Sequence, residues 1–508
     1  MNSKKQVFIS MFGPMPDKPT GLANSVLRRA QVFAEAGTKT TILVDHFVPD
    51  IERHLRGLEA SGDLRNNMIS VRSLFLDLAH WSGLPETHSY ESPVHTGESG
   101  WTYTQDASRS EVWRGRFNGD YREFVWMRNS QEVNFIDYLV NDGQVRINRT
   151  WFDASGHPCK IERMNQSNKS FRTDFVDASG RTYLTHHSTG DVSYVLHKRN
   201  EDRLEFRTYS ELYEYWLINY ALNEVTKPTI ISEYGLKREA LENVAKQIDA
   251  QVIYTFHSSH LAKPYDYGSD IRQDQRSFLS SIDSLSSLVV LTEEQRIDLF
   301  KQFGFLSNVH VIPHHAPVES RDVQRDPNKI VMVGRFDHDK GHLDALKAFS
   351  DIVTDFPLAK FEIYGRGADE LRIQKAIEDL NLQSSVSIRG FTDDAAGVFA
   401  SAAISLVPSS YEGFCLSMIE SMAQGCVPIV YDFKYGPKDI ITNGYDGLIV
   451  QRDNIQEMSD AIRLLLNADN YRLEISENSR LVIERFSENM LLSKWRKLMA
   501  SIGSDCLS

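Results

Sequence analysis

At 508 residues the chain exceeds what one hydrophobic core holds, because cores stop growing near ~250 to 300 residues, so two or three domains are expected. Hydrophobic residues at 41% and charged ones at 25% exclude a disordered or fibrous chain and leave an ordinary globular one. The net charge of −13 argues against a nucleic-acid protein, whose affinity comes from neutralising phosphate.

After Met1-Asn2-Ser3-Lys4-Lys5, the apolar run Val7 to Met11 stops at Gly13-Pro14. It is too short for a signal peptide, and no window approaches the ~20 apolar residues of a membrane span, so a cytoplasmic location is expected. Residues 7–11 read as a buried strand, 13–21 as a Pro/Gly-rich loop, 24–36 as an amphipathic helix and 40–44 as the next strand. This is a β-loop-α-β opening.

From about Arg114 to Tyr209 the texture changes to alternating polar and apolar residues rich in Tyr, Phe, Trp, Thr and Val. The run is punctuated by Asn141-Asp142-Gly143 and by a near-repeat, Asp153-Ala154-Ser155-Gly156 and Asp177-Ala178-Ser179-Gly180. Turn residues between period-two runs predict successive hairpins, hence an inserted antiparallel β-meander. Residues 111–207 hold 15 Lys and Arg against 14 Asp and Glu, so this segment is near neutral while the rest carries the acidity. It is the candidate for meeting an anionic partner.

A helix over 211–224 leads back to α/β texture, with strands at 251–256 and 287–291. Thr292-Glu293-Glu294-Gln295 has the form of a capping box and predicts a helix to about Phe303. After a polar linker at 320–328, strands at 330–333, 360–364, 385–388, 403–407 and 427–431 alternate with helices. That alternation implies a parallel doubly wound sheet with ligands at the carboxyl ends of its strands. A last helix is expected over 490–502, crossing back to the first domain. The four cysteines, Cys159, Cys415, Cys426 and Cys506, show no disulfide or zinc spacing and are expected as reduced thiols.

The sharpest local signal is the stretch from Val407 to Glu420. A strand ends, a turn with Gly413 follows, and a helix starts near Cys415, so helix N–H groups and the positive dipole end converge on a phosphate-binding spot. Glu420 lies within the helix, where a carboxylate can accept from a ribose diol, and Glu412 sits at the mouth. The second signal, Gly334-Arg335-Phe336-Asp337-His338-Asp339-Lys340-Gly341, follows another strand. Arg335 and Lys340 are cations suited to a diphosphate leaving group.

Arg335 with Lys340, Tyr364-Gly365-Arg366-Gly367, Gly390-Phe391 and Glu412-x7-Glu420 together resemble the retaining GT-B glycosyltransferases of the glycogen-synthase-like family. The β-rich insert, Leu291 to Arg296, Tyr411-Glu412-Gly413, Leu416 to Glu420 and Asp432 to Pro437 resemble, more specifically, bacterial teichoic-acid α-glycosyltransferases and the related enzymes that glycosylate Ser-rich surface proteins. The resemblance implies two Rossmann-like domains facing a cleft. The N-terminal, acceptor domain would comprise 1–75 and 208–318, the β-rich insert 76–207, the UDP-sugar donor domain 319–485, and the crossing helix 486–508.

It also implies roles. Arg335 and Lys340 would hold the UDP diphosphate, Glu420 the ribose, Glu412 the sugar, and the backbone of Gly413, Phe414, Cys415 and Leu416 the phosphate and sugar hydroxyls. Gly390 and Phe391 would meet uracil, and His257 would face the donor sugar. Gly21 matches a glycine loop near the reacting centre, although this chain has Thr20-Gly21 where the family often has paired glycines. No cofactor or metal is required, since a sugar nucleotide already carries a good leaving group and two cations are available for it.

The expected reaction is transfer of α-linked glucose or N-acetylglucosamine from a UDP-sugar to poly(glycerol phosphate) or poly(ribitol phosphate). Serine in a repetitive surface protein is the alternative acceptor. A non-catalytic GT-B subunit is the reading from another class, against which Arg335, Lys340, Glu412 and Glu420 speak. A dehydrogenase is disfavoured because no strand is followed by Gly-x-Gly-x-x-Gly with a later acidic residue. A homo-oligomer formed through the insert is expected, and membrane contact, at the inner face, is at most peripheral.

Overall fold

The computed structural model describes residues 6–11, 13–16, 21–64, 66–81, 98–197, 203–315, 321, 323–504 and 506–507, without the side chains of Trp81 and Leu236. The readings made above for 1–5, for 17–20 with Thr20, for 82–97 and 198–202 of the insert and for 320 and 322 of the linker lie outside the described residues. Two compact units result, one of residues 1–19, 26–230 and 237–250, the other of 20–25, 231–236 and 251–508. Among the described residues no helix is long and apolar enough to cross a membrane.

In the first unit, strands β1 (Gln6–Ser10), β2 (Lys39–Val44) and β3 (Ile69–Ser73) pair in parallel, with Phe8 opposite Thr41 and Ile42 opposite Val71. Val7, Ile9, Ile42 and Val44 are fully buried, so the near-continuous apolar run of β1 is that of a parallel strand covered on both faces. At the carboxyl end of β2 the buried Asp45 accepts from Lys237 at 2.5 Å and from Tyr209 at 2.7 Å.

Ten antiparallel strands, β4 to β13, run in sequence order from Trp101–Gln105 to Arg203–Phe206 and form one sheet. The meander therefore begins before Arg114, and its first turn, Asp106-Ala107-Ser108-Arg109, lacks the glycine of the later ones. The near-repeat has a structural cause. Asp153 Oδ1 accepts from Ser155 N at 2.9 Å and Asp177 Oδ1 from Ser179 N at 2.8 Å, so both tetrapeptides close the same aspartate turn.

The helix expected over 211–224 is instead Tyr209–Trp216, capped by Thr208, whose hydroxyl accepts from Glu211 N, and it continues as a π-turn over Leu217–Ala221. Strand β14 (Thr229–Ser232), buried throughout, has no counterpart in the sequence reading.

The second unit holds two parallel arrays. In one, β15 (Gln251–Thr255), β16 (Leu288–Val290) and β17 (Val309–Val311) are successive neighbours. The helix Glu293–Phe303 follows β16 with Thr292 as its cap, as the capping box predicts. The reciprocal half of the box is absent, because Gln295 donates to the Ser258 carbonyl at 3.1 Å instead.

The other array is six strands in the order β20 (Val386–Gly390), β19 (Lys360–Tyr364), β18 (Asp326–Val333), β21 (Ala402–Val407), β22 (Val427–Tyr431), β23 (Leu448–Val450). β18 starts at Asp326, so the last residues of the linker are strand, paired with Ala402. The core between this sheet and its helices includes Ile330, Phe336, Phe349, Phe361, Met418 and Ile429, all fully buried. Strand order reverses between β18 and β21, the switch point where doubly wound sheets bind ligands. The last helix, Glu488–Ser501, buries Leu491, Trp495, Leu498 and Met499, and Lys494 donates to the Val311 carbonyl at the end of β17.

Candidate functional site

Both sequence-flagged loops emerge at that switch point. After β18 the chain runs through Gly334 to Gly341, and after β21 through Pro408 to Cys415 into the helix Leu416–Ala423. The loops are locked together by backbone. Ser410 N donates to the Asp339 carbonyl at 2.8 Å, and a Cβ on Gly341 would fall 2.0 Å from the Pro408 carbonyl oxygen. Cys415 precedes the helix in the left-handed conformation at φ 68 and gives it no side-chain cap. Its thiol is pushed up to about 12 by burial and by Glu412, so it stays protonated and is no nucleophile at neutral pH.

Lys340 and Glu412, about one-fifth exposed each, form a direct ion pair through Glu412 Oε1. Ser409 Oγ donates to the same oxygen at 3.0 Å. Burial works against the Lys340 charge, but the Glu412 carboxylate outweighs it and holds the ammonium above its ordinary range. The main chain of Glu412 is bracketed as well: its N–H donates to the Lys434 carbonyl at 3.1 Å and its carbonyl accepts from Tyr435 N at 2.9 Å. The sequence assigned these two charges to different parts of a ligand, and the structure pairs them with each other.

Gly413 explains itself by contact. A Cβ there would meet the His257 carbonyl oxygen at 2.1 Å and Ser258 N at 2.7 Å, so only glycine lets this turn reach the segment after β15. His257 Nε2 lies 2.5 Å from Glu233 Oε2 and 3.0 Å from Thr255 Oγ1, while its ring stacks on His314 at 5.4 Å. Phe414 in turn meets His314 edge-on at 5.6 Å. Glu412, Gly413, Phe414, Lys340 and His257 are thus brought into one group.

The remaining candidates stand outside that hydrogen-bonded group. Arg335 is 78% exposed on its side chain and pairs with Asp337 at 3.1 Å. Glu420 is half-buried, the fifth residue of the helix that Leu416 opens. Gly390 closes β20 and accepts from Gly365 N at 2.8 Å; the exposed ring of Phe391 carries the Arg366 guanidinium 4.7 Å from its centre. Gly21 is exposed in a turn at φ 51 and accepts from Ser25 N.

Several site residues went unassigned in the sequence. Lys434 donates to Asp298 at 2.5 Å and to Glu294 at 2.9 Å, Tyr435 donates to Asp298 at 3.1 Å, and Asp439 accepts from Glu293 N at 2.6 Å. They tie the Glu412 bracket to the helix Glu293–Phe303. The available signal was a lysine amid the aromatics of Phe433-Lys434-Tyr435. Glu233 was missed too, though a carboxylate directly after the buried run of β14 is itself a signal, since buried charges demand partners. Among the described residues no three His, Cys, Asp or Glu side chains gather so as to hold a metal ion.

The profile of the family Glycosyl transferases group 1 matches residues 318–482, which contain both loops. Over 96% of its length the chain is 26% identical to a poly(glycerol-phosphate) alpha-glucosyltransferase of Bacillus subtilis (strain 168), covering 74% of that protein. Over 95% it is 25% identical to a poly(ribitol-phosphate) alpha-N-acetylglucosaminyltransferase of Staphylococcus aureus (strain COL), covering 97%. Residues 318–482 form a group 1 glycosyltransferase domain. Its fold is GT-B. A crystal structure of a variant of S. aureus TarM with fondaparinux, alpha-GlcNAc-glycerol and UDP superposes with a TM-score of 0.81 at 22% identity, covering 97% of this chain and 99% of that one. The pneumococcal O-GlcNAc transferase GtfA, in complex with UDP and GlcNAc, gives 0.77 at 17% identity over 99% and 100%. In this glycosyltransferase His257 and Gly21 lie outside the family-matched stretch, whereas Arg335, Lys340, Glu412 and Glu420 lie inside it.

Proposed function

We propose that this glycosyltransferase moves an α-linked glucose or N-acetylglucosamine from a UDP-sugar to hydroxyls of poly(glycerol phosphate) or poly(ribitol phosphate), retaining the anomeric configuration. One observation carries the reading: the similarity to two polyol-phosphate α-glycosyltransferases extends over 95–96% of the chain, so it takes in most of the insert as well as the donor loops.

Residues 319–485 bind the donor, and 1–75 and 208–318 the acceptor. Lys340 exchanges Glu412 for the diphosphate when the donor binds, which frees the Glu412 carboxylate for the sugar. Arg335, exposed and on the same loop, adds a second cation to the leaving group. Glu420 takes the ribose, the backbone of 413–416 the phosphate and sugar hydroxyls, Gly390 and Phe391 the uracil, and Gly21 approaches the reacting centre. Two fixed cations neutralise the departing UDP, so the reaction proceeds without a metal. The enzyme works in the cytoplasm, at most peripherally at the inner membrane face, as a homo-oligomer joined through the insert 76–207.

The test is UDP release with UDP-glucose and with UDP-N-acetylglucosamine against poly(glycerol phosphate), poly(ribitol phosphate) and a Ser-rich peptide, each with chelator present. Release with one polyol phosphate is expected. Release with the peptide alone would move the acceptor to serine, and silence with every pair would overturn the catalytic reading.

A further inference from the structure

We propose that Glu233 is a positioning residue of this enzyme: it fixes the His257 imidazole in the tautomer protonated at Nε2 and so reserves Nδ1 as an acceptor for a donor-sugar hydroxyl. The inference deepens the function proposed above and rests on it for the sugar. The tautomer itself follows from the contacts of Glu233, Thr255 and His257.

Glu233 follows β14 directly and exposes none of its surface. Thr255 and His257 are two residues apart at the end of β15, so their side chains leave the extended chain on the same side, and both reach Glu233 Oε2, Thr255 Oγ1 at 3.0 Å and His257 Nε2 at 2.5 Å. Thr255 Oγ1 also lies 3.1 Å from the Ser232 carbonyl, which leaves its hydroxyl hydrogen a second acceptor. An ionised carboxylate only accepts, so the ring nitrogen facing it carries the proton, and a neutral imidazole then has a bare lone pair on the other nitrogen.

That other nitrogen is where a ligand is called for. His257 Nδ1 is buried and has no hydrogen-bond partner among the described residues, on a side chain that is nine-tenths covered. Buried acceptors are costly to leave unmade, and a polar atom in this state at a candidate site invites a donor from outside the chain. The surroundings are those of the donor turn: the His257 carbonyl abuts Gly413, and His314 bridges from the His257 ring to Phe414. A hydroxyl arriving at this turn would supply the missing hydrogen. Without Glu233 the imidazole is free to take the opposite tautomer, in which Nδ1 donates and the hydroxyl meets the wrong partner. A purely structural role for the pair keeps the same tautomer and predicts lost stability with kcat/KM of the folded enzyme unchanged.

The full chain labelled with ¹⁵N-histidine reads the tautomer by two-bond ¹⁵N–¹H correlation, with the His257 signals assigned by their absence from His257→Asn. The ligand-free enzyme is expected to show Nε2 protonated, and Glu233→Gln to shift His257 toward Nδ1 protonation. That variant should lose about ten- to a hundred-fold in kcat/KM for the UDP-sugar with its UDP affinity kept, and Glu233→Asp should restore part of the loss. Should Glu233→Gln fail to fold, His257→Asn, whose amide stands near the Nδ1 position, should retain more turnover than His257→Gln, whose amide reaches toward Nε2. An Nδ1-protonated ring in the wild type, unchanged kcat/KM in Glu233→Gln, or more turnover in His257→Gln than in His257→Asn would overturn the proposal. Absence of turnover with every donor would overturn the proposed function while the tautomer still decides the geometry.

Discussion

Lys340 and Glu412 neutralise one another in a site that leaves about one-fifth of each side chain exposed, and any anionic ligand must compete for the lysine. Removing either charge leaves the other without its counter-ion and, under the roles proposed for the pair, takes away a group assigned to the leaving diphosphate or the sugar. Lys340→Ala and Glu412→Gln are therefore expected to lower kcat by about 10²- to 10³-fold, measured by single-turnover product formation. Because the Lys340 ammonium is held above its ordinary range, its charge and its contribution persist at neutral pH and are lost only as pH rises through that raised value.

Two buried histidines act at the other end of the scale. His342 is lowered to about 4 by burial and then by Lys340, against Asp369 and Asp337; His260 is lowered to about 4 by burial. Their unfolded forms protonate near 6.5, so the unfolded chain binds more protons between about pH 6.5 and about pH 4, and stability falls as pH drops through that window, by about 3 kcal/mol for each histidine. Thermal melts of His342→Leu should show a shallower acid loss than the wild type; an identical slope would refute the assignment. Arg335 and Lys340 were legible in the sequence as a pair of cations above a strand end, but their unequal exposure was not, because exposure depends on how loop 408–415 covers one of them.

At the scale of elements, the turn before the helix Leu416–Ala423 is held by contacts that chain order hides. The Glu412 main chain hydrogen-bonds to Lys434 and Tyr435, and the Lys434 side chain is anchored on Glu294 and Asp298 of the helix Glu293–Phe303. Lys434→Ala leaves the buried Asp298 with only the longer pairing to Lys301 at 3.6 Å, and breaking a buried pair costs at most about 3 to 5 kcal/mol. A fall in melting temperature together with a fall in kcat is expected; a destabilised variant with unaltered kcat would separate the anchor from the site. Gly413→Ala should keep the fold and lose turnover, since its methyl group cannot share space with the His257 carbonyl.

The helix start at Thr292 was legible because a cap is local. The destination of Gln295 was not, because the Ser258 carbonyl to which its amide nitrogen donates lies 37 positions away. β14 escaped notice for a related reason: four buried residues carry no periodicity long enough to read.

At the scale of the whole molecule, the sequence carried the alternation of strands and helices, the inserted meander and the strand ends at which ligands gather. What it could not carry was where the meander begins, since the first turn, Asp106-Ala107-Ser108-Arg109, repeats the later aspartate turns without the glycine that makes them conspicuous. Among the described residues the sheet of the insert ends on β4 and β13, and an open edge strand offers backbone groups to a second copy. A variant lacking residues 98–207 is expected to sediment as a smaller particle with fewer copies than the full chain; an unchanged copy number would reject the insert as the oligomer contact.

α-Retaining transfer of a hexose to a polyol phosphate at the Lys340–Glu412 site is read from the anomeric proton coupling of the glycosylated polymer made by the wild type and by Glu412→Gln under the same conditions. An α-linked sugar on poly(glycerol phosphate) or poly(ribitol phosphate) is expected from the wild type and almost none from the variant. A β-linked product, or an equal yield from both, would contradict it.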